Sequence, residues 1–170
     1  MKKAVLFSML ILLVAVLAVA SASPGEARAS KIAVCALQTN TGEIPGKTWF
    51  SEDGTIMHIR GGKTYGIIQP LPGHSECDPA YANGQIEMEL NLNLNLVTGE
   101  GNAYGKHTIT LGEGINGSWV GSYSGKIVDF AFSGLAVSHG SGDLEGMLEK
   151  MRLQQTGETT YESFGMVLVP

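Results

Sequence analysis

The chain has 170 residues and a formal net charge of −5, with 16 acidic side chains against 11 lysines and arginines. An acidic chain has no general electrostatic attraction for phosphate backbones or anionic lipid surfaces, so the composition argues against nucleic-acid binding. The length suits one domain that buries a core of its own.

The N-terminus has the three parts of a secretory signal peptide. Residues 1–3 are basic at Lys2 and Lys3, an uncharged apolar run follows, and SASPGEARAS supplies the small residues of a cleavage zone. We therefore expect a signal peptide over residues 1–22, with cleavage there or as late as residue 29. An uncleaved membrane anchor is the alternative, because the apolar run is only a little short of a bilayer span.

The rest of the chain is expected to be one exported domain. Residues 23–30 predict a short disordered leader end, and residues 31–170 a single β-barrel domain that is secreted or periplasmic, with no membrane association after cleavage. Cys35 and Cys77 are the only cysteines. In an oxidising compartment two cysteines favour one disulfide; free thiols or a metal site are the alternatives, but no CxxC spacing supports a metal.

Beyond residue 30 the sequence alternates with a period of two and is punctuated by glycine. The runs TIMHIR and KTYGIIQ flank Gly61 and Gly62, which predicts a β-hairpin with a two-residue turn. Residues 70–83 hold three prolines and Cys77, and we expect a loop tied down by the disulfide.

The segment IEMELNLNLNLV, residues 86–97, has aliphatic side chains at every even position up to residue 96 and polar ones between them. Strict alternation predicts a strand with one face in an apolar core and the other in a polar environment. At about 3.3 Å per residue the strand would be roughly 40 Å long, which suits the tilted strand of a barrel.

Later strands follow the same pattern. The sequence GEGING matches a dinucleotide-binding pattern in form, but no helical segment follows it, so we expect a hairpin loop there. In the next strand, Trp119 and Tyr123 share a face with two glycines. The remaining strands are expected at residues 103–111, 118–127, 130–138 and 164–169, the last closing the barrel against an early strand.

Residues 143–153 fit two structures. Leu144, Met147, Leu148 and Met151 have helical spacing, with Asp143 in a capping position. Gly146 would cost a helix about 1 kcal/mol, and we favour a strand while keeping one short helix as the alternative. Together the elements predict an all-β, antiparallel barrel of about eight strands with glycine-rich turns, since closure removes exposed strand edges.

Three stretches also suggest relatives: MHIRG at 57–61, GSWVGSYSGKI at 117–127 and SHGSGDLEGM at 138–147. From residue 56 onward the chain resembles the allene oxide cyclase and dirigent type of β-barrel, and uncharacterised exported members of that type. The resemblance implies an eight-stranded barrel, often with an apolar cavity. Cyclases of this type isomerise a reactive lipid epoxide and dirigent proteins steer radical coupling. No residue here matches a functional residue of either group, so no activity is implied.

Five side chains are candidates for binding a ligand. His58 and Arg60 share a strand face, where they could bind a carboxylate or remain a solvated polar surface. Trp119 and Tyr123 could line a lumen or serve core packing alone. His107, which lies in a strand beside a lysine, completes the set.

These observations favour an exported barrel without an identifiable catalytic constellation, which binds a small apolar ligand or serves a structural role. Two other functions stay open. An isomerase or cyclase would need a buried ionisable residue that points into the lumen, and a surface-interaction or inhibitor module would use the loop at residues 70–83. No cofactor and no metal are expected, and the sequence does not indicate an oligomeric state.

Overall fold

The computed structural model describes residues 29–112 and 114–170. The predicted signal peptide and nearly all of the leader end therefore lie outside the described residues. Within them, no helix is long and apolar enough to cross a membrane. The strands are β1 (Ser30–Ile44), β2 (Lys47–Phe50), β3 (Ile56–Pro70), β4 (Gly84–Asn95), β5 (Gly101–Leu111), β6 (Gly117–Val128), β7 (Ala131–Gly142), β8 (Leu148–Gln155) and β9 (Thr160–Val169).

Eight of the strands form a closed antiparallel barrel. The neighbours run β1-β9-β8-β7-β6-β5-β4-β3, and β1 also pairs with β3 to close the ring. The short strand β2 lies outside and pairs with β3. The predicted all-β barrel is confirmed, and so is its closure by the last strand against an early one, because β9 pairs with β1 from Ser30 to Thr39.

The alternating segment forms β4, as predicted. Ile86 and Leu92 are buried on the lumenal side, while Glu87 is exposed on the outer side. The strand ends at Asn95, two residues earlier than expected. The Asn95 Oδ1 atom accepts hydrogen bonds from the next amide N–H groups, at 2.9 Å from Val97 N and 3.0 Å from Thr98 N, and so turns the chain.

The prediction of a hairpin turn at Gly61 and Gly62 is wrong. β3 passes through both glycines without reversing, and its register against β4 shifts between Ile59 and Gly62. Gly61 has a φ of +66°, which fits a β-bulge as well as a hairpin turn. Long-range pairing decides between them, because β3 pairs with β2 before the bulge and with β1 after it.

The ambiguous segment divides into a turn at residues 143–147 and a strand from Leu148 onward, and the alternative of a helix over 143–153 is not formed. β8 has a neighbour on each side, so its backbone groups pair with β7 and β9. Glu149 and Met151 are buried while Lys150 and Arg152 are exposed. Asp143 holds a turn instead of capping a helix: its Oδ2 atom accepts a hydrogen bond from Asn116 N–H at 2.8 Å.

The predicted disulfide is present between Cys35 of β1 and Cys77 of the loop between β3 and β4. This loop carries a short 3-10 turn, Pro79–Ala82, across one end of the barrel. Ala82 is fully buried there, and the ring of Tyr81 lies 6.4 Å from that of Trp119, centroid to centroid. The loop therefore acts as a plug at this end.

Candidate functional site

The lumen contains two adjoining cavities. An inner chamber of about 30 Å³ lies near the plugged end, which is room for about one or two water-sized groups. A larger outer chamber has a volume of about 240 Å³. The two share the wall residues Gln38, Met88, Tyr123 and Leu153.

The wall of the outer chamber is mainly apolar. Ala103 of β5 faces the chamber with only a methyl group, which leaves room between larger side chains on the neighbouring strands. A polar fringe comes from Gln38, Asn40, Thr64, Gln155 and Tyr161. The apolar part consists of Met88, Leu90, Leu92, Leu94, Ala103, Ile127, Phe130, Phe132 and Leu153. The lumenal side of the alternating strand thus lines a cavity.

A row of polar side chains crosses four adjacent strands at the inner chamber. His107 of β5 pairs with Gly121 of β6, Gly121 with Ser138 of β7, and Ser138 with Glu149 of β8. Gly121 carries no side chain, and a Cβ atom there would overlap the carbonyl oxygen of Val137. The glycine lets the imidazole reach across β6 to the serine.

Hydrogen bonds connect the row. Ser138 Oγ donates to Glu149 Oε2 at 2.9 Å and lies 2.8 Å from His107 Nε2. With the serine proton on the carboxylate side, the imidazole carries its proton on Nε2 and donates it to Ser138 Oγ. His107 and Glu149 line the inner chamber. Within the described part of the chain, neither Glu149 Oε1 nor His107 Nδ1 has a hydrogen-bond partner, so both atoms are available to a ligand.

Burial shifts both titratable groups of the row towards their neutral forms. It raises the pKa of Glu149 to about 7, an effect that the hydrogen bond from Ser138 partly opposes. It also lowers the pKa of His107 to about 4. Near neutral pH the imidazole is therefore neutral, and the carboxyl group changes readily between its two protonation states.

Tyr123 lies on the lumenal side, where it lines both chambers; the sequence had left lumen lining and core packing open. Its hydroxyl donates to the backbone oxygen of Glu89 at 3.0 Å. Burial is the main cause that raises the pKa of Tyr123, and the negative charges of Tyr161 and Glu89 raise it further. The phenol therefore stays protonated. Its ring packs edge-on against Phe132, with centroids 6.1 Å apart. The side chain is thus held in place in the walls of both chambers.

Trp119 is fully buried beside the plug, and the walls of both chambers are made by other residues. Its Nε1 atom is fully buried and has no hydrogen-bond partner among residues 29–112 and 114–170. The structure thus gives Trp119 a place in the packed end of the barrel. Its role in ligand binding stays a prediction.

His58 and Arg60 lie outside the barrel, away from His107 and Tyr123. The imidazole of His58 stacks on the indole of Trp49, with ring centroids 5.1 Å apart, and its Nδ1 lies 2.7 Å from Asn93 Oδ1. The Arg60 guanidinium lies 5.9 Å from the centroid of Trp49 and 5.4 Å from that of Tyr104. The two predicted residues share a face, but they belong to an exposed aromatic surface.

Glu149 and Ser138 were not among the residues predicted from the sequence. The signal for Glu149 was its alternation with Met151 and Leu153, which puts a carboxyl group on the apolar side of a strand. Ser138 alternates in the same way with Ala136. Their contact with His107 depends on the register of four strands, which no local pattern contains.

An aromatic ring forms part of the mouth of the outer chamber. The β6–β7 turn consists of Asp129 and Phe130, with φ values of 51° and 63°. Phe130 is 56% exposed yet lines the chamber, so it lies where the cavity meets solvent. Its N–H donates to the backbone oxygen of Gly99 at 3.0 Å, which fixes the turn against the β4–β5 connection.

Comparisons with known proteins show the fold and no more. No protein-family model and no curated protein sequence matches the chain. A solved structure does: a protein of unknown function from the DUF3224 family of Shewanella oneidensis MR-1, with a TM-score of 0.54 and 16% sequence identity over 84% of this chain and 98% of that chain. The specific resemblance to allene oxide cyclase and dirigent proteins stays a prediction. The comparison therefore shows a shared β-barrel fold.

Proposed function

We propose that the protein is an exported barrel that binds a small, mainly apolar molecule in its lumen. The observation that carries the proposal is the outer chamber of about 240 Å³, walled by leucines and aromatic rings. Protein interiors are normally packed to the density of organic crystals, with few voids larger than a water molecule. A purely structural barrel of this size would have no reason to keep such a space.

The size of the chamber limits the ligand. A cavity of about 150 Å³ holds benzene, so by proportion this one accommodates about ten non-hydrogen atoms. The apolar wall favours a ring or short hydrocarbon skeleton. The inner chamber, where His107 and Glu149 are exposed to the cavity, would receive a single hydrogen-bonding group of the ligand.

The plug favours the lumen over the protein's outer surface as the functional site. The loop at residues 70–83, considered above as the contact of an interaction module, places Ala82 in the core and Tyr81 in the wall of the inner chamber. Its disulfide supports export, because such bonds persist mainly in oxidising compartments. Export itself is part of the proposal.

Titration with 2-naphthol, a fluorescent aromatic alcohol of suitable size, tests the proposal. Ala103→Phe fills the outer chamber from its wall, whereas Lys106→Phe adds the same ring on the exposed side of the same strand. We expect saturable one-to-one binding by the unaltered protein and by Lys106→Phe, and at least a tenfold loss of affinity in Ala103→Phe. Unsaturable binding, or equal affinity in the two variants, would refute a lumenal site.

A further inference from the structure

We propose that the lumen also catalyses proton transfer at the carbon next to the carbonyl group of a small apolar ketone, with Glu149 as the residue that takes up and returns the proton. This inference rests on the lumenal binding proposed above and assigns the class of substrate. The isomerase considered from the sequence required a buried ionisable residue facing the cavity, and Glu149 and His107 both meet that requirement.

The shape of the lumen places a ketone in a suitable position. The hydrocarbon part fits the apolar outer chamber, and the inner chamber of about 30 Å³ has room for the carbonyl group. Gln38, whose side chain lines both chambers, donates from Nε2 to Asn40 Oδ1 at 2.8 Å and to Met88 Sδ at 3.6 Å. Sulfur is a weak acceptor, so a carbonyl oxygen can replace it.

The reaction is balanced without any other reagent. Glu149 Oε1 takes the proton from the carbon next to the carbonyl. The electron pair of the broken C–H bond forms a carbon–carbon double bond, and the π electron pair of the carbonyl group moves to its oxygen. The Gln38 Nε2–H group stabilises the negative charge that develops there. Return of the proton to the same carbon regenerates the ketone, and return to a conjugated carbon shifts a double bond. Substrate and product are isomers.

His107 and Ser138 act as positioning residues. Ser138 is fully buried behind the carboxyl group, and its hydrogen bond to Oε2 leaves Oε1 directed to the chamber. His107 donates from Nε2 to Ser138 Oγ at 2.8 Å, which keeps the serine proton directed to the carboxylate. A carboxyl group whose pKa lies near the working pH is efficient at both removing and returning a proton.

Hydrogen–deuterium exchange of 2-indanone in D₂O measures the step directly, because each exchange at the carbons beside the carbonyl requires one proton abstraction. Followed by proton NMR, exchange should saturate with ketone concentration and should be blocked by 2-naphthol. We expect Glu149→Gln to lower the catalysed rate more than tenfold while keeping its 2-naphthol affinity within threefold. Glu145→Gln, at an exposed position before the same strand, should leave the rate unchanged.

Each failure has its own meaning. If 2-naphthol does not bind, the proposed lumenal function fails together with this inference. If 2-naphthol binds but 2-indanone neither displaces it nor exchanges faster than in buffer, ketones are the wrong substrate class and the inference alone is overturned. Exchange that persists in a folded Glu149→Gln protein, or that 2-naphthol does not block, overturns the role of Glu149.

Discussion

At the scale of single residues, Gly121 is the position on which the polar row depends. It lies between His107 and Ser138 in the register of three strands, and the backbone of β7 occupies the space that a side chain would need. Any other residue would push apart β6 and β7 and stand between the imidazole and the serine. The glycine thus serves both the sheet and the site.

Gly121→Ala should therefore be destabilising by about 1–3 kcal/mol, the usual cost of overpacking. Gly42→Ala is the matched control, because a Cβ atom at Gly42 would have no neighbour within 4 Å, and its effect should stay within about 0.5 kcal/mol. Urea denaturation of the two variants gives both values. Equal effects at the two positions would show that the backbones of β6 and β7 do not approach each other closely at Gly121.

Burial of Glu149 should make stability depend on pH. The folded protein keeps this proton up to about pH 7, whereas an unfolded chain releases it near 4.5, so the contribution of Glu149 to stability falls as the pH rises between these values. His107 acts in the opposite direction: it is neutral in the folded protein down to about pH 4 but protonated below 6.5 when unfolded, so its contribution rises over that range.

Replacing the carboxyl group separates the contribution of Glu149 to stability from that of His107. Glu149→Gln should become more stable relative to the unaltered protein as the pH rises from 4.5 to 7, by about 3 kcal/mol at 1.36 kcal/mol per unit. Urea denaturation at several pH values measures the difference, with Glu145→Gln as the control that should show no trend. A difference independent of pH would mean that folding does not raise the pKa of Glu149.

At this scale the sequence predicted which side chains share a strand face, but not which face is lumenal or which side chains meet. Alternation put Trp119 and Tyr123 on one face and left lumen lining and core packing open, and His107 was a candidate only as a histidine within a strand. The partnership of His107 with Ser138 and Glu149 could not be predicted, because it follows from strand registers summed across the barrel wall.

At the scale of elements, the β6–β7 turn is strained. A two-residue hairpin turn with positive φ at both positions favours Asn-Gly, whereas this chain has Asp129-Phe130. Holding a residue other than glycine in this region costs about 1–3 kcal/mol. The turn keeps an aromatic ring at the mouth of the outer chamber, which gives the strain a function in the proposed binding.

Replacing this turn should improve stability and weaken binding together. The double variant Asp129→Asn, Phe130→Gly should be more stable by about 1–2 kcal/mol, since the favoured turn residues relieve the strain. Its affinity for 2-naphthol should fall several-fold, because the ring no longer covers the mouth. Asp129→Asn alone keeps the ring and should keep the affinity. A double variant that binds as well as the unaltered protein would remove Phe130 from the site.

Elements with regular alternation were predictable, and those that depend on distant pairing were not. β4 follows from the pattern at residues 86–97, because only a strand puts its leucines on one side. Gly61 and Gly62 tolerate a positive φ, which both a hairpin turn and a bulge can require. Only the pairing of β3 with both β1 and β2 selects the bulge.

At the scale of the whole molecule, closure of the barrel was predictable but its hollow interior was not. Long strands with glycine turns favour closure because open edges are exposed to aggregation. Whether the lumen is filled depends on the summed volumes of inward side chains. Here Ala103 faces the lumen with only a methyl group among larger side chains, and the space beside it is part of the outer chamber.

Diffraction from a crystal of the unliganded protein pressurised with xenon shows whether the lumen is hollow. Xenon enters dry apolar cavities in proteins and scatters strongly. We expect a xenon peak in the outer chamber, in contact with Leu92, Ala103, Ile127 and Phe132. Side chains collapsed into that space, with no xenon between them, would contradict the account of the lumen and both functions proposed for it.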